Sequence, residues 1–197
     1  MTKENIIFLC ISECSLPYIK VVQIEDNTKS KVKMATRFPE DVKVTIAVSG
    51  ASRRFDMKNR CPYWATYMKV NGRKAKVGGD GYAVVSRNWK QGDMVTVEFG
   101  MSLTEEPTKD NPSLVALKYG PVVLGVRLAP VAHPFSDPKK YNDYYTFDYG
   151  KHKEVEYDSV NGFRQTSPLH FENAEGTKLE PFYDLHHCRY AVYLRKR

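Results

Sequence analysis

From Asp41 to Val48 the chain reads DVKVTIAV, so Val42, Val44, Ile46 and Val48 fall on one side of an extended backbone and Lys43, Thr45 and Ala47 on the other. The same alternation governs DMVTVEF, where Val95, Val97 and Phe99 interleave with Thr96 and Glu98. Successive side chains of a strand point to opposite faces, so both stretches predict strands with one face in a core and one in water. Comparable runs predict strands over 6–11, 19–24, 31–36, 67–70, 82–87, 114–119, 122–128 and 185–194. Between them stand Asn71-Gly72, Gly78-Gly79-Asp80-Gly81, Gln91-Gly92-Asp93 and Asn161-Gly162, residues that accept the backbone angles of tight turns. No stretch sustains a helical period. The expected fold is all-β: an antiparallel β-sandwich of jelly-roll-like type.

The alternation fades after Ala129, where HPFSDPKKYNDYYTFDYGKHKEVEYDSVNG is rich in Tyr, Pro and charge but poor in aliphatic residues. The expected organisation is therefore a sandwich over 1–128, a long irregular Tyr/Pro-rich excursion over 129–168, and one or more strands over 169–197 that return to the sandwich. The many aromatic residues of the excursion argue for a segment pinned to a surface rather than for disorder.

Composition changes this picture little. In 197 residues, 42% are hydrophobic and 27% charged, which suits a globular chain with a real core. The net charge of +7 admits a polyanionic partner, but the basic residues are scattered apart from short clusters such as Lys29, Lys31 and Lys33 and the terminal Arg195-Lys196-Arg197. Neither a nucleic-acid partner nor a membrane partner is expected. Cys10, Cys14, Cys61 and Cys188 form no CxxC pair and read as buried thiols. The N-terminal MTKENIIFLCISECS has too short an apolar run for an export signal, and nothing approaches the ~20 apolar residues of a membrane span.

One short stretch concentrates reactive side chains: LEPFYDLHHCRYAVYL, residues 179–194. On a continuous strand Asp184, His186, Cys188, Tyr190, Val192 and Leu194 share one face, ending in a core stripe, and Leu185, His187, Arg189, Ala191 and Tyr193 share the other. His186 and Cys188 are candidate zinc ligands by chemistry. A metal site needs three or four ligands, so the plainer reading is a buried pair serving packing. His187 and Arg189 are candidates for contact with a neighbouring domain or a glycan. Trp64 and Tyr82, with Trp89 and Tyr63, form a candidate sugar platform, because the apolar faces of sugar rings stack on aromatic planes; a tryptophan in a sandwich also serves as core. Tyr144 and Tyr145, with Tyr141 and Tyr149, are candidates for an exposed aromatic patch.

A wider order of motifs runs from Arg60 to Leu128: Pro62 and Trp64 at a strand end, Val70-Asn71-Gly72, Gly81-Tyr82, Trp89 followed by Gly92-Asp93, Met101, then Val115-Ala116 before Gly120-Pro121. In this order they resemble the β-sandwich that follows the catalytic barrel in glycoside hydrolase family 127, the β-L-arabinofuranosidase-like family. The terminal PFYDLHHCRYAVYL resembles the ending of some members, with Leu194 where Trp is usual, and IFLCISECSL resembles the strand leaving the barrel.

The resemblance implies enzymes whose chemistry resides in an (α/α)6 barrel, with zinc held by a Glu-x-Cys element and an adjacent Cys pair. This sequence has neither element; Glu13 and Cys14 are adjacent, which is the wrong spacing. The implied role is a non-catalytic portion of a glycoside hydrolase that supports the catalytic barrel, its natural partner. No catalytic residue is expected in the chain and no cofactor, since zinc would belong to the barrel. A bacterial periplasmic or secreted parent is compatible with the family. The alternative is an independent carbohydrate-binding module for plant-type or arabinose-containing glycans, with oligosaccharide as the partner.

Overall fold

The structure, a computed structural model, describes residues 6–9, 20–23, 31–50, 52–130, 154–186 and 188–197. Among these the regular elements are strands and two 3-10 turns, and the sheets are predominantly antiparallel, so the chain is all-β. It divides into two compact units, residues 1–102 and 103–197.

The first unit contains β1 (Ile6–Leu9), β2 (Lys20–Gln23), β3 (Lys31–Thr36), β4 (Lys43–Ser49), β5 (Arg53–Arg60), β6 (Met68–Val70), β7 (Arg73–Lys74), β8 (Tyr82–Trp89) and β9 (Met94–Phe99). They form a six-stranded sheet in the order β2-β3-β4-β9-β6-β7 and a three-stranded sheet, β1-β5-β8, in which β1 runs parallel to β5. The predicted alternation is realised where β4 meets β9: Val44 lies opposite Val97 and Ile46 opposite Val95, and all four are fully buried. Against them pack Phe55 and Met57 of β5 and Trp89 of β8, in one cluster with Val32, Met34 and Phe99. Burial of each such side chain contributes roughly 1.5–3 kcal/mol.

The turn residues behave as their chemistry requires. Asn71 and Gly72, between β6 and β7, adopt φ of 50° and 75°, the positive pair of a tight hairpin. The Asn71 side-chain oxygen also accepts a hydrogen bond from the Thr96 backbone N–H at 2.9 Å, tying this hairpin to β9. In the Gly78–Gly81 turn the Asp80 carboxylate accepts from the Tyr82 N–H and pairs with Lys58 at 3.2 Å. Asn161-Gly162 is the exception. These residues lie in a 3-10 turn, Val160–Gly162, capped by Ser159, whose hydroxyl accepts from the Asn161 N–H.

The second unit contains β10 (Leu103–Pro107), β11 (Leu114–Tyr119), β12 (Val122–Pro130), β13 (Glu156–Tyr157), β14 (Arg164–Ser167), β15 (His170–Glu172), β16 (Lys178–Pro181), β17 (Cys188–Ala191) and β18 (Tyr193–Lys196) in one nine-stranded sheet. Strands β11 and β12, grouped by sequence with the first sandwich, are hydrogen-bonded here to the terminal strands. Of the expected excursion, residues 131–153 lie outside the described residues, whereas 154–168 hold β13, the 3-10 turn and β14.

The expected single strand over 185–194 is two strands. A 3-10 turn, Phe182–Asp184, follows β16; then β17 pairs with β12 and β18 pairs with β11. The arms of the β11–β12 hairpin diverge, and the irregular register between Arg127 and Ala129 bends β12 further. The terminal stretch fills the fork and changes partner at Val192. The expected core stripe is thereby broken: Leu194 is fully buried against Val115, while Tyr190 is 46% exposed.

Gly125, in β12, lies under the Leu185 side chain, and a Cβ there would also stand 3.1 Å from the Ala191 carbonyl oxygen. Gly125→Ala is therefore expected to cost about 1–3 kcal/mol, read as a lower urea midpoint. The Tyr157 ring is fully buried beside Phe163, and its hydroxyl makes no hydrogen bond of good geometry among the described residues. Burial, and then the neighbouring Glu105 carboxylate, push its pKa well above the usual phenol range. Tyr157→Phe removes a buried hydroxyl that lies near Glu105 without a well-formed hydrogen bond among the described residues, and is expected to leave stability unchanged or raise it by about 1 kcal/mol; a clear loss in the same denaturation experiment would show that the hydroxyl is satisfied in solution.

Candidate functional site

The tryptophans of the first unit are occupied by the core. Trp89 is fully buried, its indole N–H donates to the Phe55 carbonyl at 2.9 Å, its ring stacks on Phe55 at 5.1 Å, and the Arg87 guanidinium covers it at 4.2 Å. Trp64 is half-buried, stacked on Phe38 at 5.7 Å and edge-on to Phe99 at 5.8 Å. Tyr82 is half-buried at the start of β8, with the Lys58 ammonium 6.0 Å from its ring centre.

Tyr63 is turned outward and is 88% exposed, because its neighbour Trp64 anchors the loop. Tyr67 closes that loop over Gly100, where any Cβ would collide with its ring. Its hydroxyl donates to Glu98 at 3.0 Å, and Lys69 reaches the same carboxylate oxygen at 2.9 Å while lying over the Tyr67 ring at 4.8 Å.

Tyr144, Tyr145 and His187 lie outside the described residues, as do Tyr141 and Tyr149. His186 and Arg189 are exposed and Cys188 is buried. Among the described residues no group of three or more His, Cys, Asp and Glu is placed to hold a metal ion.

What does assemble around the terminal stretch is a surface drawn from three strands. Arg127 of β12 and Tyr190 of β17 are cross-strand partners. The Arg127 guanidinium donates to both oxygens of Glu180, at 2.9 and 3.0 Å, and to the Asp184 carbonyl at 3.2 Å. The hydrogen bonds to Glu180 raise the Arg127 pKa further. Beside this fork the Phe182 ring meets Tyr190 edge-on at 5.4 Å. Phe182 is 42% exposed and Leu128, at the bulge, 43%. Exposed aromatic rings beside an arginine held rigid by a bidentate carboxylate match the composition of protein contact surfaces. Sequence reading could not find Arg127 and Glu180, which sit 53 residues apart and meet only through the pairing of β12 with β16.

The described residues build two strand-rich units. Comparison with known proteins places their fold. Residues 18–101 match the family model described as Beta-L-arabinofuranosidase, GH127 middle domain. The match ends at the boundary of the first unit, 102. The whole chain is similar to a solved GH127 beta-arabinofuranosidase at 17% identity and TM-score 0.62, covering 36% of that chain. It is equally similar over its whole length to a GH127 beta-L-arabinofuranosidase from Geobacillus stearothermophilus T6, at 20% identity and TM-score 0.59, covering 34% of that chain. Over 90% of its length it resembles a glycoside hydrolase at 16% identity and TM-score 0.60, covering 34% of that chain. At these identities the structural likeness is one of fold. No curated protein matches the chain. The chain spans about a third of the length of the structures it resembles. The expected resemblance to the β-sandwich region of family 127 stands, with the first unit matching the part called the middle domain. Among the described residues no helix is long and apolar enough to cross a membrane.

Several carboxyl groups are held below their ordinary pKa by hydrogen-bonded cations: Glu98 by Lys69 and then Tyr67, Asp80 by Lys58, Glu106 by Lys118 and Glu154 by Arg195. A carboxylate with a lowered folded-state pKa stabilises fully above its unfolded value and loses that contribution as pH falls through the folded one. Stability is therefore expected to hold level from neutrality down to about pH 4, the range of unperturbed carboxyl groups, and to fall below it. Thermal melts across pH 2–7 check this, and Glu98→Gln should make the acid limb shallower.

Proposed function

We propose that this chain is the β-domain portion of a GH127-type glycoside hydrolase, that it supports the catalytic (α/α)6 domain, and that it supplies no catalytic group of its own. The observation that carries this reading is the joint one of match and extent: a GH127 middle-domain match over 18–101 in a chain that aligns over its full length with about a third of GH127 structures. The structural rationale is that both units are strand-built around buried apolar side chains, as a support requires. The outward aromatic residues Phe182 and Tyr190, steadied by the Arg127–Glu180 pair, are proposed as part of the contact with the catalytic domain. Arg189, exposed on β17 beside them, belongs to the same surface in this proposal.

Two measurements test it. The chain incubated with aryl β-L-arabinofuranosides, zinc and reductant is expected to give no turnover; hydrolysis abolished by a point substitution within the chain would defeat the proposal. Co-expressed with a GH127 (α/α)6 domain it is expected to co-purify, and the double substitution Phe182→Ser, Tyr190→Ser should reduce the complex without lowering the melting temperature of the chain alone.

A further inference from the structure

In the second unit a shallow cleft of about 530 Å3 opens beside the β14–β15 hairpin. Such a volume falls within the roughly 300–1,000 Å3 of small-molecule sites. Its walls are Asn161, Gly162, Arg164, Thr166, Glu172 and Asn173. The local structure explains how they converge. Arg164 and Glu172 are cross-strand partners, so both side chains stand on one face; the register shifts between Gln165 and Ser167, and Thr166, at that irregularity, also lines the cleft. The Ser159-capped 3-10 turn carries Asn161 and Gly162 to the opposite wall. Asn173 is fixed by its own turn: its side-chain oxygen accepts from the Glu175 and Thr177 N–H groups, at 3.1 and 2.8 Å.

Two lining groups are already engaged, the Asn173 oxygen by that turn and the Thr166 hydroxyl by the His170 carbonyl at 3.4 Å, whereas Asn161, Arg164 and Glu172 are less committed. Arg127, Arg195 and Arg197 all form ion pairs, whereas among the described residues the Arg164 guanidinium has no ion pair and the Asn161 side-chain amide no hydrogen bond. Arg164 and Glu172 do not close on each other although the register sets them opposite; among the described residues Glu172 pairs with Lys178 alone, at 4.0 Å. One positive and one negative group, two amides and a hydroxyl present both donors and acceptors with no net charge among them. Vicinal hydroxyls, each able to donate and accept, complement such a set, whereas an anion would meet the Glu172 carboxylate and a cation the Arg164 guanidinium.

We infer that this cleft is a binding site for a neutral sugar segment, holding it through Asn161, Arg164 and Glu172. The choice of a glycan rests on the glycoside-hydrolase reading above; the availability of the polar groups does not. Gly162 supplies a selective block, because a Cβ there meets nothing within 4 Å and its backbone is not in the left-handed region. Gly162→Leu therefore starts a side chain beside the cleft from a Cβ that meets no neighbour.

The test is an amide NMR titration of the full chain with neutral arabino-oligosaccharides and, separately, with oligogalacturonides. Saturable shifts confined to residues around Asn161, Arg164 and Glu172 are expected for the neutral glycan, weakened about tenfold or more by Gly162→Leu and, as a second variant on an exposed side chain, by Asn161→Ala. No response to the neutral glycan, or a response that both variants leave intact, would overturn the site. Tighter binding of the oligogalacturonide would overturn its neutral specificity. Failure here with co-purification preserved removes the glycan site alone; failed co-purification with cleft binding preserved removes the supporting role alone.

Discussion

The pairing of β4 with β9 is the constraint on which the first unit rests. Val44 and Ile46 lie opposite Val97 and Val95, so four β-branched side chains without exposed surface form a single strip down the middle of the six-stranded sheet. β-branched residues suit this position because their restricted rotamers fit the pleated surface with little further loss of freedom. The second sheet is then obliged to present large groups to the strip, and Phe55, Met57 and Trp89 do so. Trp89 can be buried because its one polar atom is satisfied by the Phe55 carbonyl. Once that layer is filled, Trp64 is drawn in at its border and Tyr63 is turned out. The display of Tyr63 is thus a consequence of core packing several strands away.

Charge follows a similar logic in the second unit. The terminal Arg195-Lys196-Arg197, read alone, is a short basic cluster. In the fold Arg195 pairs with Glu154, Lys196 with Glu105, and Arg197 with Glu156, Asp158 and Glu175. These pairs lie at the surface, where water screens each of them, but together they neutralise the cluster and lie where β18 runs beside β13, its parallel neighbour. The positive excess of the sequence is therefore not concentrated at this end of the chain.

The strands most legible in sequence are those with aliphatic residues on every second position: 31–36 and 114–119 coincide with β3 and β11, β9 lies within its alternating run, and β4 exceeds its run by one residue, Ser49. Strand β5, central in its sheet, shows no alternating signature in sequence, because its inward row holds Phe55, Met57 and the polar Asn59 between charged residues. Short strands such as β13 and β15 carry too few residues to show a period at all. The terminal stretch was recognised as extended, but its change of partner at Val192 depends on the shape of the β11–β12 hairpin, which no local pattern encodes. For the same reason local pattern offers only Arg189 and His187 for outward contact, His187 lying outside the described residues, while Arg127 and Glu180 reach Tyr190 and Phe182 through long-range pairing. The polar cleft lay hidden behind an Asn-Gly pair that sequence chemistry assigns to an ordinary hairpin.

The fork occupied by β17 and β18 has a mechanical corollary. A strand with one neighbour can fray without disturbing the next, but this one is shared, holding β12 through its first half and β11 through its second. Detaching it would strip hydrogen bonds from both arms at once and leave two bare edges, the kind of surface that recruits other chains. The terminal stretch, where the reactive side chains crowd, is thus also a clasp, so its residues answer to assembly and solubility as well as to any contact they make outward.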